Sequence, residues 1–462
     1  MSDIRHVGVI DIGKTNVKVA VVDLAGEREI GVLSRPNQVL PGPPYPHYDL
    51  EGHWTFICEA LADLNRQHRI DALSVTTHGA SAVLLDRAGK LAAPMLDYEF
   101  DGPDSLAADY DAIRPDFAET GSPRLSMGLN LGAQLHWQLR SDPELLDRVA
   151  MVLTYPQYWS FRLTGVAANE VTSLGCHTDL WCPGENRFST LVDRLGLAGK
   201  MAPVKKAGDR LGTLLPAVAE RTGLAAATPV ACGIHDSNAS LYPHLAARKP
   251  PFSVVSTGTW VIALAIGGRP VQLDPARDTL INVNAFGDPV PSARFMGGRE
   301  FDIVTKGRDR TWSEADRVKV LETRAMLFPA VEPRSGPFQG RHSSWSVEET
   351  GLSDGERFVA VSWYLALMTA ECLAMSGADG PVIVEGPFAK NALYLDMLGA
   401  ATGRPVTVSG GSSTGTSIGA AMLVSGSDRL PAAEPDATGE ASAPDPALEA
   451  YAEAWFRQLR AS

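Results

Sequence analysis

Cysteine is scarce and scattered. Cys58, Cys176, Cys182, Cys232 and Cys372 are all the thiols in 462 residues, and none stands in a C-x-x-C pair. That usage excludes a disulfide framework and fits reduced thiols in a cytosolic compartment. Cys176-His177 with Cys182 resembles half a metal site, but no second half with ligand spacing follows, so these read as packing or surface thiols. Basic residues are also short: 41 Lys and Arg stand against 54 Asp and Glu, for a net charge of -13. Such a balance excludes the basic face that a general nucleic-acid binder needs, and the acidic excess reads as solubility. No run of side chains approaches the ~20 apolar residues of a membrane span. Met1-Ser2-Asp3 leads straight into a strand without a signal peptide, so the expected location is cytoplasmic, with no membrane partner. The glycine-containing turns fit neither the Walker nor the Rossmann spacing.

What is present is an α/β alternation long enough for two cores. Val7-Gly-Val-Ile-Asp11-Ile-Gly13 is a near-continuous apolar run, as a strand buried on both faces requires. Lys14-Thr15-Asn16 makes a polar turn, Val17, Val19 and Val21 alternate as a second strand, and Ile30 to Leu33 gives a third. Trp54, Ile57, Leu61 and Leu64 have helical spacing, and Ala72 to Thr76 is a strand ended by His78-Gly79-Ala80. Asp142-Pro143 reads as an N-cap with proline at the first helical position, and the pattern around Gln157 to Leu163 predicts a helix stopped by Gly165. After the boundary Lys249-Pro250-Pro251, the run Phe252 to Thr257, the turn Gly258-Thr259 and the run Trp260 to Leu264 repeat the opening plan. Two halves that begin alike suggest a duplicated architecture; chance similarity of two hairpins is the alternative. The spacing further predicts a buried helix over Phe358 to Met375, a strand at Pro381 to Glu385, a helix over Ala392 to Thr402, a strand at Val406 to Val408 and a helix from Ser417 to Ser425. Pro431 to Pro446 is too polar for a core and reads as a linker. Tyr451, Trp455 and Leu459 mark a final amphipathic helix over Leu448 to Leu459.

The chemistry is expected to centre on Ala231 to Ser240, where an apolar strand runs through Gly233 and delivers Asp236 among His235, Ser237 and Asn238. An Asp capping the following helix is the competing reading. Three turns rich in Gly, Ser and Thr follow strands: Gly13 to Asn16, Thr257 to Thr259 and Ser409 to Thr416. Backbone N–H groups in such turns can approach phosphate oxygens, and hydroxyls add donors. Asp11, on a buried strand, needs a partner, either Mg²⁺ held through water beside a polyphosphate or a hydrogen bond from the turn.

Val-Ile-Asp11-Ile-Gly13-Lys-Thr-Asn16-Val-Lys18, Gly233-Ile-His235-Asp236-Ser237, Ser256-Thr-Gly258-Thr259-Trp260 and Glu385-Gly386-Pro-Phe-Ala389-Lys390-Asn391 resemble the signature segments of the FGGY carbohydrate kinases, in order, over roughly residues 5 to 425. The resemblance implies two ribonuclease-H-like (actin-like ATPase) α/β domains flanking a catalytic cleft. These would be residues 1–246, with the sugar site and the first phosphate turn, and 252–429, with the nucleotide site, followed by a linker and helix over 430–462. It implies an ATP- and Mg²⁺-dependent transfer to a terminal hydroxyl of a ketose, with a small sugar as partner and a homodimer among the open assemblies. By the same resemblance Asp236 is the base and Asp11 holds Mg²⁺. Gly13, Lys14, Thr15, Asn16 and Lys18 belong to the first phosphate turn, Gly258 and Thr259 to the second. Gly386, Ala389 and Asn391 border the adenosine, and Gly410 and Gly411 lie near the phosphates. His78, Gly79, Tyr98, Asp101 and His235 fall where the family approaches the sugar.

The segments at Gly13 to Val17, His235 to Ser237 and Thr257 to Trp260 look nearer the L-fuculose and L-rhamnulose kinases, whereas His78 is similar to the xylulose kinases. Pro387 and Phe388 are inserted in the adenosine loop, and Arg299, in Phe295 to Glu300, reads as pairing with Glu300 or reaching the cleft, a surface ion pair being the favoured reading. A nucleotide-binding chaperone or regulatory ATPase is the rival class, against which no peptide-binding domain is appended. A sugar-sensing regulator is a third, without a DNA-binding segment before Val7.

Overall fold

The computed structural model describes residues 4–409, 415–425 and 445–461. It groups the chain into two units. Neither is a single stretch of sequence: Ile281–Pro289 and the helix Gly415–Met422 belong with the first unit, and the helix Pro446–Ala461 with the second. Most of the stretch read as a linker, and Gly410 and Gly411, lie outside the described residues.

In the first unit a seven-stranded sheet is built around His6–Ile12. This strand pairs antiparallel with Asn16–Asp23, placing Asp11 opposite Lys18, and parallel with Ala72–Thr77, placing Asp11 opposite Thr76. Ile234–His235 also runs parallel to Ala72–Thr77, with His235 opposite Thr77. Three parallel strands thus end at one edge, which carries Asp11 one residue before the end of the first and His78 and Asp236 directly after the other two. The carboxyl ends of parallel strands are where open α/β sheets present binding groups. The strand interior is fully buried, which is why the sequence reads as an unbroken apolar run there rather than an alternation. Helix Leu50–His68 covers one face with Trp54, Ile57, Leu61 and Leu64, and Tyr155–Thr164 packs into the same core before Gly165 ends it in the left-handed conformation. Asp142 does not start a helix as its proline neighbour suggested. It closes Leu131–Ser141, and only the four-residue turn Leu145–Arg148 follows.

The second unit repeats the opening plan. Phe252–Thr257 pairs antiparallel with Val261–Ile266 across a turn closed by Gly258 N–H donating to the Trp260 carbonyl at 2.9 Å, as Gly13 N–H donates to Asn16 at 2.9 Å in the first. Here too the leading strand has a parallel neighbour, Val382–Glu385, which is followed by Val406–Val408. The core of this unit is helix Asp354–Met375, started by a capping box of Ser353 and Glu356. By length and composition it could cross a membrane, yet 78% of its apolar window is buried inside the protein. Trp363, Tyr364 and Trp455 pack in this core, so the final helix, Pro446–Ala461, docks through the residues its periodicity pointed to. Two glycines hold the turn at Thr257–Gly258. Gly386 has φ +81°, and a Cβ there would collide with the Thr257 carbonyl oxygen, as one on Gly298 would with that of Gly258.

Candidate active site

Asp236 is the first residue of helix Asp236–Ala247, directly after the short strand Ile234–His235. Its Oδ1 takes the His235 Nε2 proton at 3.1 Å and the Ser237 N–H at 2.6 Å. Its Oδ2 has no hydrogen bond among the described residues, and the side chain keeps 33% of its exposure. The helix-start reading and the reactive-carboxylate reading therefore describe the same residue, with one oxygen fixing the local turn and the other available. Burial pushes this carboxyl up, but the His235 charge and hydrogen bond outweigh it, and the net direction is down. Burial disfavours charge on His235 as well; Cys176 and Asp236 overcome it and raise that imidazole well above its ordinary range.

His235 is held from behind. Its N–H donates to Thr172 Oγ1 at 3.1 Å, and that hydroxyl donates to the buried Glu170 at 2.6 Å. Cys176 Sγ lies 3.7 Å from His235 Nε2. Gly79 fits against both: a Cβ there would sit 2.8 Å from His235 Nε2 and 3.0 Å from Cys176 Sγ. All five cysteines are buried and none forms a disulfide, so none is a surface thiol.

His78 sits among three phenol rings, Tyr48 at 5.2 Å, Tyr98 at 5.2 Å and Tyr155 at 5.0 Å between centroids. Its Nδ1–H donates to the Gly79 carbonyl at 2.9 Å, which leaves Nε2 as a lone-pair acceptor; that atom is buried without a hydrogen-bond partner. Burial lowers its pKa to about 4, so the ring is neutral. The charge of Asp236 acts on both His78 and Tyr98. Asp101, by contrast, is exposed at the start of the 3-10 turn Gly102–Leu106 and makes no cap hydrogen bond.

Asp11 pairs with Lys18 Nζ at 3.1 Å, and Ser417 Oγ approaches its Oδ2 at 3.4 Å. Burial raises its pKa, Lys18 opposes the rise, and Asp236 adds to it. Two carboxylates that repel each other at the ends of the two strands flanking Ala72–Thr77 suit a divalent cation nearby, and a single inner carboxylate suits Mg²⁺ held largely through water. Lys18 also pairs with Glu29 at 3.1 Å. Thr15 and Asn16 are linked by a side-chain hydrogen bond of 3.1 Å on the open face of the first turn. Lys14, expected in that turn, is engaged elsewhere, by Asp97, by Glu99 at 3.1 Å and by Tyr48 at 3.3 Å. Asp97 was missed as a site residue. An acid closing the apolar run Met95-Leu96 was the signal, since a buried carboxylate requires a cation.

Within the second unit, Gly258, Thr259 and Asn391 line a cavity of about 920 Å³. Phe301, Phe358 and Phe388 give it apolar walls, and Asp302, Lys306 and Lys390 its polar rim. Gly386 supports its floor through Thr257, Ala389 packs on the core, and Asn391 also caps helix Ala392–Thr402. The inserted Pro387 and Phe388 are part of the lining. Arg299 lines it too and pairs with Glu332 at 3.2 Å, not with Glu300, which is buried and bonded by Tyr364 at 2.9 Å. The helix Gly297–Val304, which supplies much of this wall, was not read as part of the site; its exposed Ile303, with Trp312 beyond it, was the available sign.

Residues 6–242 match the N-terminal domain of the FGGY family of carbohydrate kinases, and residues 249–433 match the carbohydrate kinase FGGY C-terminal domain. The crystal structure of a carbohydrate kinase from Novosphingobium aromaticivorans is 35% identical, covers 98% of this chain and 100% of that one, and superposes with a TM-score of 0.89. An L-fuculokinase from Salmonella typhi is 25% identical over 268 residues, 56% of this chain and 56% of that protein. A probable L-xylulose kinase from Pasteurella multocida is 27% identical over 248 residues, 49% of each. The match thus spans about half the length of these two curated relatives. Two family domains in order over most of the sequence, and a fold shared end to end with a solved carbohydrate kinase, place this chain in the FGGY family of carbohydrate kinases.

Proposed function

We propose that the protein is an ATP-dependent kinase that phosphorylates the terminal hydroxyl of a ketose, a deoxyketose such as L-fuculose or L-rhamnulose first among them. The observation that carries this reading is the Asp236 carboxylate: one oxygen is fixed by His235 and Ser237, and the other is open to an alcohol. As the hydroxyl oxygen attacks the terminal phosphorus of ATP, the bond from that phosphorus to the bridging oxygen breaks, ADP leaves with the oxygen, and Asp236 Oδ2 takes the hydroxyl proton. Phosphoryl transfer otherwise demands positioning and charge neutralisation more than covalent chemistry from the protein. Thr15 and Asn16, and on the second unit Thr259, would donate to the nucleotide phosphates, with Gly13 and Gly258 closing the two turns that present them. The aromatic cavity bordered by Asn391 would take the adenosine. Asp11 would hold Mg²⁺ through water, with Lys18 fixing its carboxylate; that ion supplies charge neutralisation on the polyphosphate. His78 and Gly79 would contact the sugar, and the reaction is assigned to the cytoplasm.

A pentulose such as xylulose is the second reading, favoured by the unpaired His78 Nε2 beside Gly79. A coupled ADP-release assay over ketoses, polyols and pentuloses separates the two. Stimulation of ADP release by a deoxyketose at least tenfold above any pentulose supports the first, the reverse order supports the second, and no stimulation by any sugar refutes both.

A further inference from the structure

We propose that Lys14 is a residue of the acceptor pocket and not a phosphate ligand, and that its pairing with Asp97 shapes this pocket for a neutral polyhydroxy substrate. The inference rests on the sugar-kinase reading above. An ammonium has three protons to give. Lys14 donates to Asp97 and to the Tyr48 hydroxyl at 3.3 Å and pairs with Glu99 Oε2 at 3.1 Å, with Nζ 4.7 Å from the centre of the Tyr98 ring. Tyr48 in turn donates to Asp97 at 3.0 Å. The Asp97 side chain keeps only 10% of its exposure, so a phosphate could draw Lys14 away only by leaving a buried carboxylate unpaired. Glu99 is different. Its side chain is 55% exposed and can return to water at little cost, freeing one Lys14 proton for a substrate oxygen.

The same contacts frame the sugar side. Tyr48 and Tyr98, both fixed against Lys14, are two of the rings around His78. Their placement leaves a donor at Lys14, an acceptor at His78 Nε2 and a proton acceptor at Asp236. Alternating donors and acceptors match neighbouring hydroxyl groups. A sugar acid would need a cation of its own, but Lys14 is matched by Asp97, His235 by Asp236, and His78 is neutral.

The test compares Lys14→Met, Asp97→Asn and the conservative Lys14→Arg in steady-state kinetics with the best ketose of the panel, and in ATP binding by calorimetry. For Lys14→Met and Asp97→Asn, KM for the ketose is expected to rise tenfold or more while ATP affinity stays within twofold; Lys14→Arg recovers part of the loss. A tenfold loss of ATP affinity with an unchanged ketose KM overturns the assignment. On the unaltered protein, amine acylation read by mass spectrometry gives an answer that does not depend on a variant folding. Protection of Lys14 by the ketose supports the proposal, and protection by ATP alone overturns it. Should the unaltered protein turn over no sugar, the kinase reading itself fails and the acceptor-pocket assignment falls with it, whereas a tenfold weaker ATP affinity of Lys14→Met overturns the assignment with the kinase reading intact.

Discussion

Replacing Asp236 by Asn isolates the proposed base from its surroundings. The amide oxygen can still accept from His235 Nε2 and from Ser237 N–H, the two contacts that fix the carboxylate at 3.1 Å and 2.6 Å, so the helix start should hold its shape. What disappears is the oxygen that takes a proton, together with one negative charge. Positioned proton transfer contributes roughly 10²–10⁴-fold, about 3–5 kcal/mol of barrier at about 1.4 kcal/mol per decade. kcat should fall by that factor at saturating sugar and ATP in a coupled ADP-release assay. ATP affinity should hold or improve, because Asp236 no longer repels Asp11. The pH profile adds a second check. The active form is the ionised carboxylate, and His235 holds its pKa below the ordinary 3.8 despite burial. Activity from this group is present above that lowered pKa and lost as pH falls through it, so kcat/KM should show no acid limb from Asp236 between about pH 5 and 8. A variant within threefold of the parent rate would refute the assignment, and an acid limb near pH 6 that vanishes in the variant would refute the lowered pKa.

His53 is fully buried, and burial lowers its pKa from 6.5 to about 4. The unfolded chain takes up this proton as pH drops below 6.5 and the folded one does not until about 4, so stability is lost across that window, up to about 3 kcal/mol from this group. Urea titrations at pH 7 and pH 5 should therefore differ, and His53→Gln should flatten the difference; an unchanged slope would rule His53 out as its source. Gly298→Ala forces a methyl against the Gly258 carbonyl and should destabilise by about 1–3 kcal/mol, with a tenfold loss of ATP affinity but intact sugar binding. Calorimetry showing normal ATP binding would separate that turn from the nucleotide. Trp455 is fully buried and donates its indole N–H to the Leu327 carbonyl at 2.7 Å, so Trp455→Ala should cost about 3–5 kcal/mol in denaturant unfolding.

Much of this was legible because burial writes itself into composition. The strand before Asp11 and the helix Asp354–Met375 are apolar on every side, and the Trp455 helix shows its stripe. Gly165 and Gly403 mark helix ends because the left-handed C-cap favours glycine. Long-range pairing was not legible. Nothing local to Lys14 says that its ammonium goes to Asp97 rather than to a phosphate turn, and nothing in Arg299 selects Glu332 over the adjacent Glu300. Asp142-Pro143 shows a local signal overridden: the same acid that can open a helix closes one when the preceding eleven residues are already helical.

The helix Gly415–Met422 has one more consequence. It packs on the sheet that begins at His6 and brings Ser417 to Asp11, roughly four hundred residues earlier in the chain. On the ribosome, the amino-terminal lobe therefore cannot finish its own wall when its main segment, ending at Ala247, has emerged. At a synthesis rate of about 5–20 residues per second it waits on the order of ten seconds or more for its last piece. Vectorial folding of this chain must pass through an interval in which the Asp11 carboxylate is made but its final hydroxyl neighbour, Ser417, is still being translated.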